Sequence, residues 1–226
     1  MKEVPRLHIV TNDEVLARPG FVGSAIGLLE GGAGRVALHV RGHATTASTL
    51  FATTLAVLAA SPAFALVIVN DRVDIALAAG AHGVQLGVRS PPVARVRAWL
   101  DGRDPKGGGA HRLIGFSAHD VEAAIRATDE GADYVIAGSI WASGTHAGAA
   151  PAGPALIEAI SRRVRQAVIA IGGVRPDRVA EALRAGAHGV AVVGHVWNGD
   201  GPAFAANACR ELLAALDEAD SNMDRI

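Results

Sequence analysis

The chain has 226 residues, a net charge near −1, and half of its residues are hydrophobic although only 4% are aromatic. That balance excludes a basic nucleic-acid binder, and no apolar run is long enough to span a bilayer. The single cysteine, Cys209, excludes a disulfide framework within the chain and points to the reducing cytoplasm, where it reads as a small buried apolar residue inside a helix.

The N-terminus starts a strand at 7–10 and does not resemble a signal peptide. Val22, Ile26 and Leu29 then share one face of a first helix. Further apolar runs at 36–40, 66–69, 83–86, 113–116, 134–137, 168–171 and 189–193 read as buried strands. Helical patterns fill the gaps at 46–59, 71–79, 92–100, 120–130, 154–164, 176–185 and 202–216, with Val93, Val96 and Leu100 on one face of the fourth helix in chain order. Gly80-Ala-His-Gly-Val84 recurs as Gly186-Ala-His-Gly-Val190 and, varied, as Gly131-Ala-Asp-Tyr-Val135. Each copy follows an alanine-rich helical pattern and precedes a strand, so its first glycine predicts a left-handed helix cap and its histidines, His82 and His188, a structural role. Eight strand–helix pairs in this length predict an α/β fold, a single (β/α)8 TIM barrel over 1–216, with a polar tail at 217–226 that frays. The alternative, an open doubly wound sheet, normally has fewer strands at this length.

Two loops stand out. Residues 101–110, with a Gly cluster, precede a strand and belong to the bottom of the barrel, away from chemistry. Residues 138–153 are rich in Gly, Ala and Ser, follow a strand, and read as a mobile lid over the top face. Chemistry in such barrels sits at the C-terminal strand ends. There the sequence places His39, Arg41 and His43; Asn70, Asp71 and Arg72; Arg89 and Ser90; Ser117 and His119; Ser139, Ser143, Thr145 and His146; and Gly172, Gly173, Gly194 and His195. A rim of His, Arg, Ser and Asn without an acidic cluster suits an anionic ligand and proton transfer near neutral pH. Val168-Ile-Ala-Ile-Gly-Gly-Val174 and Gly189-Val-Ala-Val-Val-Gly194 end in glycines after the last two strands, where a backbone can hold a phosphate. Asp71 reads equally as a helix N-cap; as a metal ligand it lacks a second carboxylate at the neighbouring strand ends.

From about Leu7 to Leu216 the chain resembles the thiamine phosphate synthase/TenI family. The resemblance rests on Val69-Asn-Asp-Arg72, Gly80-Ala-His-Gly-Val84, Ile114-Gly-Phe-Ser-Ala-His119, Gly131-Ala-Asp-Tyr-Val135, Ala170-Ile-Gly-Gly-Val174 and Gly189-Val-Ala-Val-Val193. It implies an eight-stranded α/β barrel acting on a small phosphorylated heteroaromatic compound, often as a homodimer. The family's synthase joins a hydroxymethylpyrimidine diphosphate to a thiazole phosphate, and its pyrophosphate leaves with magnesium; a related tautomerase moves a proton on a carboxylated thiazole phosphate. The synthase pattern Gln-x-Arg-x-Lys becomes His39-x-Arg41-x-His43 here. Asn70 and Asp71 match, Ser90 replaces a second magnesium-binding Asp, and the lid's Lys becomes His146.

These changes thin the diphosphate clamp, so the reading favours a TenI-like isomerase that needs no metal or other cofactor. Ser139, at the position of the tautomerase's catalytic histidine, would work with His146 or His195 as base. Arg41 and His43 would hold a carboxylate, and Gly172, Gly173 and Gly194 the phosphate, with Asn70, Asp71, Ser117 and Thr145 lining the pocket. The alternatives are a synthase using Mg2+ and a non-catalytic phosphate-ligand-binding accessory protein.

Overall fold

Runs of Val, Ile, Leu and Ala that carry no alternation can be buried on both faces only if something covers each side. This chain solves that by rolling them into a closed parallel barrel. The computed structural model describes residues 3–102, 111–142 and 150–223. Its strands are β1 (Leu7–Val10), β2 (Val36–Val40), β3 (Leu66–Asn70), β4 (Gly83–Leu86), β5 (Leu113–Ala118), β6 (Tyr134–Ala137), β7 (Ala167–Ile171) and β8 (Gly189–Val192). Each pairs with the next, and β8 pairs with β1, Leu7 opposite Val190, to complete a single (β/α)8 TIM barrel. Alternate residues point inward. Val10, Ala37, Ile68, Leu113, Tyr134, Ile136, Ile169 and Ala191 fill the barrel's interior, while the other faces pack against the helices.

The helices are α1 (Asp13–Leu16), α2 (Phe21–Gly32), α3 (Ala47–Ala60), α4 (Val73–Ala79), α5 (Val93–Gly102), α6 (Val121–Asp129), α7 (Pro154–Ser161), α8 (Pro176–Arg184), α9 (Gly194–Trp197) and α10 (Gly201–Met223). Side-chain caps fix several starts: Thr46 Oγ1 accepts from the Thr49 amide at 3.2 Å, and Asp120 Oδ1 from the Ala123 amide at 2.7 Å. The repeated Gly-Ala cassette is one device used three times. Gly80, Gly131 and Gly186 all have positive φ. In each copy the alanine amide reaches back to a carbonyl five residues earlier, as Ala81 does to Ala76 and Ala187 to Ala182. The next residue's amide then opens the pairing with the previous strand, His82 to Val67, Asp133 to Ile114 and His188 to Val168.

Several expectations change. The face of α2 that packs inward carries Phe21, Ala25, Leu28 and Leu29, with Val22 and Ile26 only half-buried. The reason is α10, which approaches so closely that a Cβ on Gly27 would lie 2.7 Å from Pro202 and one on Gly31 3.1 Å from Ala206. The predicted helix at 154–164 stops at Ser161. Polarity after Asp217 predicts fraying, yet α10 continues to Met223, because Asp217 pairs with Arg35 and Asp220 with Arg6. Cys209 is buried within this helix, as its sequence context suggests. Among the described residues no helix is long and apolar enough to cross a membrane.

Candidate active site

The C-terminal ends of the strands converge on one mouth. On its β2–β4 side the backbone is held by acceptors from the segment that follows β1. Thr11 is fully buried; its Oγ1 accepts from the Arg41 amide at 2.8 Å and donates to the Arg41 carbonyl at 2.9 Å. Asp13 then gathers the next turn, accepting from the amides of His43, Ala44 and Thr45 and from Thr45 Oγ1. The Thr45 hydroxyl and these amides hold the Asp13 carboxyl down at about 2. Neither Thr11 nor Asp13 stands out in the sequence as a site residue, yet together they aim Arg41 across the opening.

Arg41 is half-buried, and its guanidinium donates to His43 Nε2. Burial, followed by the Arg41 charge, pushes the His43 pKa below its ordinary value. His43 is therefore a neutral acceptor at physiological pH and does not supply the fixed cation of a lysine.

Asp71 does not cap α4; the helix starts at Val73 with Arg72 at the cap position. Asp71 instead has a left-handed backbone, φ +63°, a conformation L-residues adopt at a cost. Its amide donates to the Gln85 carbonyl at 2.8 Å, and its Oδ1 accepts from Ser90 Oγ at 2.7 Å. The Ser90 hydroxyl in turn accepts from the Gly87 amide at 2.9 Å. Asp71 Oδ2 is uncommitted among the described residues, and Arg41 and Arg89 lie near enough to feel one another's charge. One carboxylate thus sits among cations at the ends of β2, β3 and β4. Among the described residues no three His, Cys, Asp or Glu groups come together as a metal cage.

Below the rim the barrel interior is unexpectedly polar. His8, His39 and Gln85 are buried, and Asn70 and Ser117 are half-buried above them. His8 Nδ1 lies 2.8 Å from His39 Nε2, and His39 Nδ1 lies 3.2 Å from Asn70 Oδ1. Gln85 Nε2 donates to Ser117 Oγ at 2.9 Å. Gln85 Oε1 and the Tyr134 hydroxyl are buried without a described hydrogen-bond partner. Sequence reasoning missed His8 altogether. The available signal was its spacing of two from Val10 on a strand whose inward face is otherwise apolar.

The opposite side of the mouth is built on the Gly172–Gly173 turn, with φ of +97° and +64°. Its glycines serve packing as well as access. A Cβ on Gly172 would strike Ser139 Oγ at 2.1 Å, and one on Gly173 would lie 2.5 Å from the Ala142 carbonyl. These faces are thus filled by the loop after β6 and are not left open for a ligand; of the three predicted glycines, only Gly194 has a clear approach, its nearest neighbour being Asn198 at 3.6 Å. Arg178, one turn into α8, donates to the Gly173 carbonyl at 2.6 Å and lies over the Trp141 ring, 5.5 Å from its centroid. This cation beside the turn was not legible from the motif.

Of the predicted proton-transfer residues, Ser139 and His195 do not pair with each other among the described residues. Ser139 Oγ donates to the Trp141 carbonyl at 3.2 Å and meets no imidazole among the described residues. His195 turns its Nε2 towards Glu211 on α10, 3.5 Å away, where that atom is buried without a described hydrogen bond. Ser143, Thr145 and His146 lie outside the described residues, with the rest of the lid segment 143–149. His119 reaches across to the Gly138 carbonyl and joins the β5 and β6 ends.

Comparison with known proteins gives one consistent result. Residues 7–196 match the family model described as thiamine monophosphate synthase. A thiamine-phosphate synthase from Methanoculleus marisnigri is 36% identical over 211 residues, 92% of this chain and 95% of that one. Another, from Chloroflexus aurantiacus, is 40% identical over 152 residues, 67% of this chain and 66% of that one. Among solved structures, thiamine phosphate pyrophosphorylase from Pyrococcus furiosus superposes with a TM-score of 0.77 at 29% identity, covering 95% of this chain and 96% of that one.

Proposed function

The chain belongs to the thiamine monophosphate synthase family, and from that premise we propose that it forms thiamine phosphate from a hydroxymethylpyrimidine diphosphate and a thiazole phosphate. The carbon–oxygen bond to the diphosphate breaks, the thiazole phosphate takes the carbon, and pyrophosphate departs. The observation that carries this reading is Asp71, held by Ser90 with its second carboxylate oxygen uncommitted among the described residues, in a mouth where Arg41 feels the charges of both Asp71 and Arg89. A departing pyrophosphate needs cations around it, and Arg41 and Arg89 supply two from the loops after β2 and β4.

Magnesium fits these residues. Mg2+ is commonly held by one or two carboxylates together with substrate phosphate oxygens, and Asp71 with the Ser90 hydroxyl beside it offers that kind of oxygen set. When bound, it would neutralise charge building on the leaving group. The thiazole phosphate is assigned to Gly194, whose approach is open, with Arg178 beside the Gly172–Gly173 turn as the cation on that side of the mouth. Ser117 and Asn70 line the floor between the two anion sites.

The isomerase reading has less support. Ser139 spends its hydroxyl on a loop carbonyl, His195 faces α10, and relatives at 36–40% identity are named as synthases. The test is to incubate the purified protein with both precursors, with and without Mg2+, and to assay thiamine phosphate. Mg2+-dependent product, falling about a hundredfold in Asp71→Asn, is the expected result. Absence of product, with conversion of a carboxylated thiazole phosphate tautomer instead, would return the chain to the isomerase reading.

A further inference from the structure

A line of hydrogen bonds runs up the barrel axis from the Pro5 carbonyl to Asn70 at the mouth. His8 Nε2 lies 2.9 Å from the Pro5 carbonyl, His8 Nδ1 lies 2.8 Å from His39 Nε2, and His39 Nδ1 lies 3.2 Å from the Asn70 side-chain atom assigned as Oδ1. The lower end dictates the polarity of everything above it. A carbonyl oxygen only accepts, so His8 must carry its proton on Nε2. A neutral imidazole has one N–H, so His8 Nδ1 accepts, and His39 must donate to it from Nε2. His39 Nδ1 is then a lone pair and needs a donor. Asn70 offers an oxygen on one side of its amide and an N–H pair on the other, and only hydrogen-bond partners tell them apart. With the oxygen towards His39, two lone pairs would face each other.

We propose that His8 and His39 are positioning residues that fix the Asn70 amide with its N–H2 group towards His39 and its carbonyl oxygen towards the mouth. This deepens the synthase reading and rests on it for the identity of the ligand. The oxygen aimed upward is an acceptor for a ligand N–H, such as a ring amino group of the pyrimidine substrate. The alternative polarity needs a charged imidazole. Both rings are fully buried, which holds His8 well below its ordinary value and His39 at about 4. A charge on either ring would also sit against the other.

The chain's polarity can be read without turnover. In uniformly 15N-labelled protein at pH 7.5, long-range 1H–15N correlation spectra should show both His8 and His39 as Nε2–H tautomers. A ring protonated on Nδ1, or on both nitrogens, at either position would overturn the proposal even if the enzyme is active. Asn70→Asp removes the donor that faces His39 Nδ1 among the described residues, and should convert His39 to a doubly protonated ring in the same spectrum. An unchanged neutral His39 would count against the chain. Kinetics give the second arm. His39→Leu should raise KM for the pyrimidine diphosphate roughly tenfold with kcat little changed. His39→Gln should restore KM to within about threefold, because Gln can donate to His8 and accept from Asn70 with the same polarity. A Gln variant as impaired as the Leu variant would overturn the positioning role. If no thiamine phosphate forms at all, the synthase reading fails while the tautomer spectra still decide the polarity.

Discussion

Gly115→Ala is the most direct probe of the barrel floor beneath the site. Gly115 faces inward on β5, and an added Cβ would lie 2.1 Å from Gln85 Oε1, 2.3 Å from Tyr134 Cζ and 2.5 Å from Tyr134 Cε2. All three distances are far inside van der Waals contact, and both neighbours are buried. Something has to move. Overpacking a tight core costs about 1–3 kcal/mol. If Gln85 moves, its 2.9 Å bond to Ser117 breaks, and a buried amide left unpaired costs about 1–3 kcal/mol more. The sum, ~2–5 kcal/mol, is a large part of a typical total stability of about 5–15 kcal/mol. It should lower Tm by roughly 5–15 °C in a chain of this size. Urea unfolding followed by circular dichroism measures the change, and Gly23→Ala is the matched control. A Cβ on Gly23 meets nothing within 4 Å, and that change in an exposed helical position should stabilise by about 0.5–1 kcal/mol. A Gly115→Ala cost below about 0.5 kcal/mol would show that the interior yields, and would refute the reasoning from these close contacts.

The Asp13 carboxyl should titrate at about 2 in a carbonyl-detected NMR experiment. Its folded pKa is depressed below the ordinary 3.8, so its hold on the 42–45 turn is complete above pH ~4 and is lost as pH falls towards 2; a midpoint near 4 would refute the role assigned to its four donors. His195→Gln should leave thiamine phosphate formation within about twofold of the parent, since the ring faces Glu211, and a drop of tenfold or more would put His195 back in the mouth. Cys209 should react with a thiol reagent only on unfolding, because burial raises its pKa to about 11 and keeps the thiolate scarce; fast labelling of the native protein at pH 8 would show that α10 opens.

The barrel was legible because its strands are buried on both faces and therefore read as uninterrupted apolar runs. Strand ends shifted by a residue or two where the last residue is polar, as at Asn70. The α2 face was misread because its contact with α10 is a seam of Gly27, Gly31, Pro202 and Ala206, where closeness of backbone replaces bulk, and hydrophobic periodicity registers only bulk. The tail was misread because Asp217 and Asp220 look solvated until Arg35 and Arg6 are brought across from the other end of the chain. At the mouth, strand-end position found Arg41, Asn70, Asp71 and Ser117, since the barrel fixes where those Cα atoms stand. It could not give side-chain direction: His195 shares that position and turns towards Glu211 on α10. Nor could it weigh His8, a polar residue within an apolar run, whose partners lie 31 residues or more away or in the preceding turn.

The closure of β8 against β1 also has a consequence during synthesis. Leu7 meets Val190, so almost the whole barrel sequence must leave the ribosome before the first strand gains its second neighbour. At ordinary elongation rates that wait is ~10–40 s. Throughout it, one side of β1 is a bare hydrogen-bonding edge flanked by apolar side chains, the kind of surface that recruits stray strands. The nascent chain is therefore most in need of a chaperone early, when its first parallel β1–α2–β2 unit exists and its last turn of sheet does not.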